Sequence, residues 1–453
     1  MSFFLSVAKQ SLPMWIALLS LLPQIHGSEQ PQKRHLSDKA FSFHVDYKET
    51  SSPLCLIGAH YDTDKSSQRM NVSGGRHCHP YTLFYHSVFR SKQNAPLTIA
   101  ELGILDGASL LMWKDYFPQA TLYGFDVSLG LINQFKLKYG NDRTHLGMLD
   151  VKDLSSIVEA FRSTGVQFDL IIDDTTHQFE DQLKVIEAVH PYLKPGGMLI
   201  IEDIFLAYNE QDYIDRLKPI LDQFQDYYFI SMDHKNRCST GSDNDKLFVL
   251  VKEGGPPILR NEKKITVITP CCRPQNLIKV KDSIDFNYVD EWIIVYDGKT
   301  IYNHPNIFQN EGNPKIKEYL YRSKGSAGDK SRGISGNPQR NYALDHVQNE
   351  DTYLYFLDDD NLIHKDLYRL LDIADEGKLY TFDQENRLKG DSIVLSKVDS
   401  GSVLIDFKLC KTLRWIPSEY AADFYYIAEC YSKNTDKWIY VNNVLATHNI
   451  LLK

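Results

Sequence analysis

The chain has 453 residues, 43% of them hydrophobic and 24% charged, a globular composition and a length that favours two domains over one core. The net charge of −9 argues against a general nucleic-acid binder and suits acidic sites filled by divalent metals.

The first predicted element is an apolar run from Leu12 to Leu22, preceded by Lys9 and followed by Ile25-His26-Gly27. It falls short of the ~20 apolar residues of a membrane span. Residues 1–27 therefore read as a secretory signal peptide, with a signal anchor as the alternative. The implied location is the lumen of the secretory pathway (Golgi or ER) or secretion, with membrane attachment only if the segment stays uncleaved. Asn71-Val72-Ser73 is a glycosylation sequon in keeping with that route. The cysteines (Cys55, Cys78, Cys238, Cys271, Cys272, Cys410, Cys430) show no metal spacing. Cys55 and Cys78 are a candidate pair in an oxidising lumen, and buried free thiols are the simpler reading.

Residues 28–54 are polar and read as a flexible stem. Residues 55–253 alternate short apolar runs with helical patterns, as βαβ units do. Within them, Leu97–Gly103 is a strand ending in Glu101 and Gly103, and Gly107-Ala108-Ser109-Leu110 opens a helix. Glycines there let backbone approach a ligand, and a helix N-terminus offers free N–H groups. The next strand, Thr121–Asp126, ends in an acid suited to ribose hydroxyls. The G-x-G-x-x-G dinucleotide fingerprint is absent. Phe168–Ile172 leads into Asp173-Asp174-Thr175-Thr176-His177, and Pro195-Gly196-Gly197 leads through an apolar run to Glu202-Asp203. Carboxylates at the carboxyl ends of buried parallel strands are where open α/β sheets place ligands and metals.

Glu253-Gly254-Gly255-Pro256-Pro257 breaks both periods and marks a boundary, with residues 254–264 as linker and 265–453 as a second α/β domain. Lys264–Pro270 is a strand leading to Cys271-Cys272-Arg273-Pro274. Glu291–Gly298 is a strand carrying Asp297, and Pro338–Leu344 starts a helix carrying Arg340. Ser323–Gly333 is a flexible basic loop. Tyr353–Leu357 then closes on Asp358-Asp359-Asp360-Asn361. The D-x-[DN]-x-[DN]-G spacing of a calcium loop is absent.

Glu101-Leu102-Gly103, Asp126 and Pro195–Asp203 together resemble a class I S-adenosylmethionine-dependent methyltransferase, a Rossmann-like fold. The metal-dependent sugar O-methyltransferases of macrolide biosynthesis are the nearer match. It rests on Asp173–His177, Tyr61-Asp62-Thr63-Asp64-Lys65, His79-Pro80-Tyr81 and Ser109–Pro118, across roughly residues 57–210. The resemblance implies that Glu101, Gly103, Asp126 and Asp173 bind S-adenosylmethionine. It also implies that Asp174, Glu202 and Asp203 hold Mg²⁺, a hard cation that takes oxygen ligands. His177, three residues beyond Asp174, would be the general base for a sugar hydroxyl whose pKa the metal lowers. Two departures stand out: Thr175-Thr176 replaces Gly-Ser, and Gly147-Met148 replaces Gly-Asp.

The second half resembles a GT-A glycosyltransferase, with Pro338–Leu344 and the Asp358–Asn361 run similar to the β-1,3-glucuronosyltransferases. That resemblance implies a nucleotide-sugar donor and a glycan acceptor. Asp358, Asp360 and His448 would hold Mn²⁺ or Mg²⁺, and Asp359 would lie near the ribose. Asp297 would touch base or ribose, Arg340 a phosphate, and Asp423 would be the base, with Glu419 as its alternative. An expected bifunctional enzyme would methylate a sugar hydroxyl and transfer a sugar. The alternatives are a sugar O-methyltransferase whose second domain only binds carbohydrate, a methyltransferase of catechols or phenols, and a non-enzymatic lectin-like protein.

Overall fold

The apolar runs pair edge to edge into one mixed sheet in this computed structural model. The structure describes residues 39–451 except 70–76, 141–142, 237–242, 259–262, 300, 302, 304, 323–335, 418 and 420. The amino-terminal apolar run, the sequon at Asn71, Cys238 and the basic loop at 323–333 lie outside the described residues.

The amino-terminal half contributes β1 (Ser42–Asp46), β2 (Thr98–Leu102), β3 (Thr121–Asp126), β4 (Thr144–Met148), β5 (Phe168–Asp173), β6 (Leu193–Ile201), β7 (Phe224–Asp233) and β8 (Lys246–Lys252). Their order is β1-β7-β8-β6-β5-β2-β3-β4, all parallel except β8. Helices fill the crossovers, and buried runs such as Leu170-Ile171-Ile172 mark a sheet covered on both faces. The chain leaves the middle of this sheet in one direction from β2 and in the other from β5. Their carboxyl ends therefore flank a crevice, the usual ligand position of a doubly wound sheet.

The carboxy-terminal half repeats the logic. It contains β9 (Lys264–Cys271), β10 (Val289–Asp297), β11 (Ile316–Tyr321), β12 (Thr352–Phe356), β13 (Leu379–Gln384), β14 (Val403–Asp406) and β15 (Trp438–Ala446). The order is β11-β10-β9-β12-β14-β13-β15, with β14 antiparallel to both neighbours. Here the switch lies between β9 and β12, which deliver Cys271-Cys272-Arg273 and Asp358-Asp359-Asp360 to the same edge.

Residues 42–46, expected in a flexible stem, form β1. It pairs in parallel with β7 and antiparallel with β15, so a single 15-stranded sheet runs through both halves. The side chains explain why the stem is ordered from this point. Phe43 and Val45 are buried and Phe43 packs edge-on to Tyr228. The break at 253–257 does not separate two bodies: residues 36–453 form one compact unit. One apolar cluster spans both halves, joining Tyr47, Leu54 and Tyr85 to Tyr353, Leu371 and Tyr380. Arg90 pairs with Asp375 at 3.1 Å, and Arg369 with Asp226 at 3.0 Å, across the same seam.

The described cysteines are all free thiols, Cys272 exposed and the rest buried, so Cys55 and Cys78 do not pair. No helix among the described residues is long and apolar enough to cross a membrane.

Candidate functional site

The first site forms at the β2/β5 crevice. Gly103, just beyond β2, has φ +83°, and a Cβ there would stand 1.9 Å from the Asp174 carbonyl oxygen. Only glycine lets the two strand ends approach this closely. Gly107, also left-handed, begins the helix Ala108–Tyr116, whose first N–H, that of Ala108, donates to Asp106 Oδ1 at 3.1 Å. Asp126 accepts from the N–H of Leu105 at 3.1 Å and that of Ser128 at 2.8 Å, which holds the loop after β2 against β3.

Glu101 is fully buried, and Ser109 donates to its Oε2 at 2.9 Å. Burial pushes its carboxyl up to about 7, against the pull of Lys65, whose Nζ lies 3.4 Å from Oε1. Asp173 is 1% exposed, and its Oδ2 finds no hydrogen-bond partner among the described residues. Burial raises it to about 7 as well, with Thr175 donating to Oδ1 at 2.7 Å. Orphaned buried oxygens of this kind call for an outside donor. These observations fit a cofactor with hydroxyl and amino groups seated against β2 and β5.

Beside them lies a candidate cation pocket. Asp174, His177 and Asp203 place ligand atoms within 4.8 Å of one another. His177 Nε2 is 3.2 Å from Asp174 Oδ1 and 3.2 Å from Asp203 Oδ2. His177 and Asp203 both adopt positive φ (58° and 56°), a strained choice for residues with a Cβ and one that clusters at functional sites. Burial works against the charged form of Asp174, but Lys65 and His177 hold it below the usual carboxylate range. Burial raises Asp203, opposed by His79.

Glu202, expected in the same ligand set, is turned elsewhere: Tyr85 donates to its Oε1 and Lys65 to its Oε2. A single ammonium, Lys65, thus faces Asp174, Glu202 and Glu101 in a dry pocket. One cation cannot neutralise three carboxylates, so burial keeps Glu202 above its ordinary value. His177, expected to stand off as base, sits in the gap between Asp174 and Asp203. Asp174 and Asp203 fit a hard divalent cation by donor type and convergence, with His177 Nε2 between them. Lys65 and Tyr81 were visible only as parts of motifs and Tyr85 was not singled out; their roles emerged when the fold placed them under the acids.

The second site surrounds a cavity of about 120 Å³. Arg340, Asp358, Asp423 and His448, each singled out from a separate chain segment, all line it, as do Arg387 and Asp399. Arg340 donates to Asp358 at 2.5 Å and lies 4.7 Å from the Trp415 ring centroid, which fixes its plane. Arg387 is held by Asp399 and donates to His448 Nδ1 at 3.1 Å. Burial and the Arg387 charge lower His448, so its ring is a neutral acceptor. Burial raises Asp423, as do Asp399 and Asp358, against Arg340.

Three expectations are not supported by this placement. Asp358, Asp360 and His448 do not converge as a metal-ligand group among the described residues. The reason is local pairing: Arg273 bridges Asp359 at 2.6 Å and Asp360 at 2.8 Å, while Arg340 takes Asp358. The residues as placed do not form a metal site. Asp297 caps the turn after β10 through the Lys299 N–H at 3.0 Å and does not line the cavity, and neither does Glu419. Sequence reasoning missed Arg387 and Asp399; the Asp399…Ser402 capping box was a readable helix start, but nothing local tied it to the cavity.

Comparison with known proteins adds to this geometry. Residues 100–204 match a family model described as a methyltransferase domain. The demethylmacrocin O-methyltransferase of Streptomyces fradiae is 31% identical over 137 residues, 29% of this chain and 33% of the relative. The L-olivosyl-oleandolide 3-O-methyltransferase of Streptomyces antibioticus is 28% identical over 199 residues, 42% and 47% of the two chains. The solved MycE methyltransferase of the mycinamycin biosynthetic pathway, in complex with Mg and SAH, aligns over 46% of this chain and 58% of its own with 21% identity and a TM-score of 0.34. The chain spans a third to a half of the length of these curated relatives. The amino-terminal half thus has an α/β, Rossmann-like sheet in which residues 100–204 match a methyltransferase domain model, and it is similar to the macrolide sugar O-methyltransferases.

Proposed function

We propose that this protein is a glycan-modifying enzyme whose amino-terminal half methylates a sugar hydroxyl from S-adenosylmethionine and whose carboxy-terminal half transfers a sugar from a nucleotide donor. The observation that carries the first activity is the convergence of Asp174, His177 and Asp203 beside the buried Glu101 and Asp173 in a domain similar to sugar methyltransferases. Asp174 and Asp203 would hold Mg²⁺, which would supply the Lewis acidity that lowers the pKa of the sugar hydroxyl to be methylated. His177, now paired with the same two carboxylates, would take up that hydroxyl's proton once the cation replaces it as their partner. Glu101, through Ser109, and Asp126, through the Leu105 backbone, orient the cofactor-facing loops. Lys65 keeps Asp174 ionised.

For the second activity, the support is the meeting of Arg340, Arg387, Asp423 and His448 around one cavity at a topological switch point. Arg340 and Arg387 bind a diphosphate, and Asp423, raised by burial, accepts the acceptor's proton. A lumenal setting with a glycan acceptor belongs to this reading. The engagement of Asp359 and Asp360 by Arg273 favours a second reading, in which this half binds carbohydrate without turnover.

Calorimetry separates the two. S-adenosylhomocysteine and a panel of nucleoside diphosphates are titrated into the protein with and without Mg²⁺ or Mn²⁺. Cofactor binding together with one preferred nucleotide, weakened about 10- to 100-fold in Arg340→Ala, supports both activities. Cofactor binding with no nucleotide binding leaves the methyltransferase alone, and binding of neither removes the enzyme reading.

A further inference from the structure

A second side-chain cluster lies behind the methyltransferase pocket and takes no part in the mechanism above. His77 Nε2 is 3.1 Å and His79 Nδ1 2.8 Å from the same oxygen, Asp245 Oδ1. The ligand atoms of all three residues lie within 4.8 Å of one another. The two imidazoles meet edge to face, their centroids 4.1 Å apart. The side chains are 12%, 6% and 1% exposed, so the group is nearly dry, with His77 the most exposed of the three. A tetrahedral ion with bonds of about 2.0–2.1 Å separates its ligand atoms by roughly 3.3 Å, within the span this cluster already occupies.

The far side of His79 supplies an independent sign. Its Nε2 faces Asp203 Oδ1 at 3.4 Å, and the Tyr81 ring stacks on it at 4.5 Å and 12°. An imidazole with one nitrogen toward a ligand cluster and the other on a carboxylate is the arrangement that orients metal-bound histidines. Tyr81 also donates to Asp203 Oδ1 at 2.7 Å and to the Asn244 carbonyl at 2.9 Å, tying both clusters together.

We propose that His77, His79 and Asp245 form a binding site for a divalent ion of the zinc class, distinct from the Asp174–Asp203 pocket and coupled to it through His79. Two imidazoles and one carboxylate suit zinc, whereas Mg²⁺ prefers oxygen donors. The ion would staple the segment before the helix Tyr81–Phe89 to the start of β8 and fix Asp203 from behind. Without it, the same residues make only hydrogen-bond contacts between the two imidazoles and the Asp245 and Asp203 carboxylates.

Co²⁺ titration of the chelator-treated full chain tests this, because a tetrahedral site with imidazole ligands gives Co²⁺ a strong visible absorption that an all-oxygen site does not. The expected result is one Co²⁺ per chain with that band, removed by one equivalent of Zn²⁺ and untouched by excess Mg²⁺. His77→Gln should weaken binding at least about tenfold, while His177→Gln keeps the band. Zn²⁺ should also raise the melting temperature of the unsubstituted protein and not that of His77→Gln. Absence of the band, its survival in His77→Gln, or its loss in His177→Gln alone would overturn the proposal.

Discussion

Glu101 shows how much a single residue's surroundings decide. Burial holds its carboxyl at about 7, well above the 4.5 of an ordinary glutamate. Between those values the folded chain keeps a proton that the unfolded chain has released. Stability of the ligand-free protein therefore falls as pH rises through this window, by about 3 kcal/mol from this group. Glu101→Gln removes the titration, and urea midpoints measured across the window should show a shallower descent than in the parent. His177 makes a different prediction. If it is the base, His177→Ala lowers kcat for methyl transfer about 10²- to 10⁴-fold while S-adenosylhomocysteine still binds; unchanged turnover would remove it from the mechanism. At this scale the acids and the histidine were legible because their types and strand-end positions carry the chemistry. Their pairings were not. Whether Asp360 meets a metal or Arg273 depends on a residue 87 positions away, brought in by the β9/β12 pairing.

Among the elements, β1 carries the largest correction. A short polar segment with alternating Phe43 and Val45 reads as stem, since nothing local says what the alternate face will meet. In the fold it fills the gap between β7 and β15, with Val45 opposite Met232 on one side and Val441 on the other. A charge introduced there is buried between two strands. Val45→Asp should cost about 4 kcal/mol or more and should resolve the denaturation curve into two steps, one for each half. A single unchanged transition would show that β1 does not join them. By contrast, the strands β2, β5, β9 and β12 were readable, because runs buried on both faces are continuous rather than alternating.

The whole molecule is one sheet carrying two crevices. β1 runs antiparallel to β15, so the carboxyl edges of the two parallel sets belong to opposite borders of the shared sheet. Each constellation is complete within its own half. The cavity residues run from Asn337 to His448, and the Asp174–Asp203 pocket and the histidine cluster behind it from Lys65 to Asp245. The amino-acid order alone established two α/β halves, their acidic strand ends and the chemistry those acids suit, because period, turn residues and side-chain type are local properties. Only the tertiary structure decided that a presumed stem is a central strand, that Lys65 sits under three carboxylates, that two arginines occupy the Asp358–Asp360 run, and that His77 and His79 meet Asp245. Each of these is a contact between distant segments, set by which strands pair and which side chains that pairing buries together.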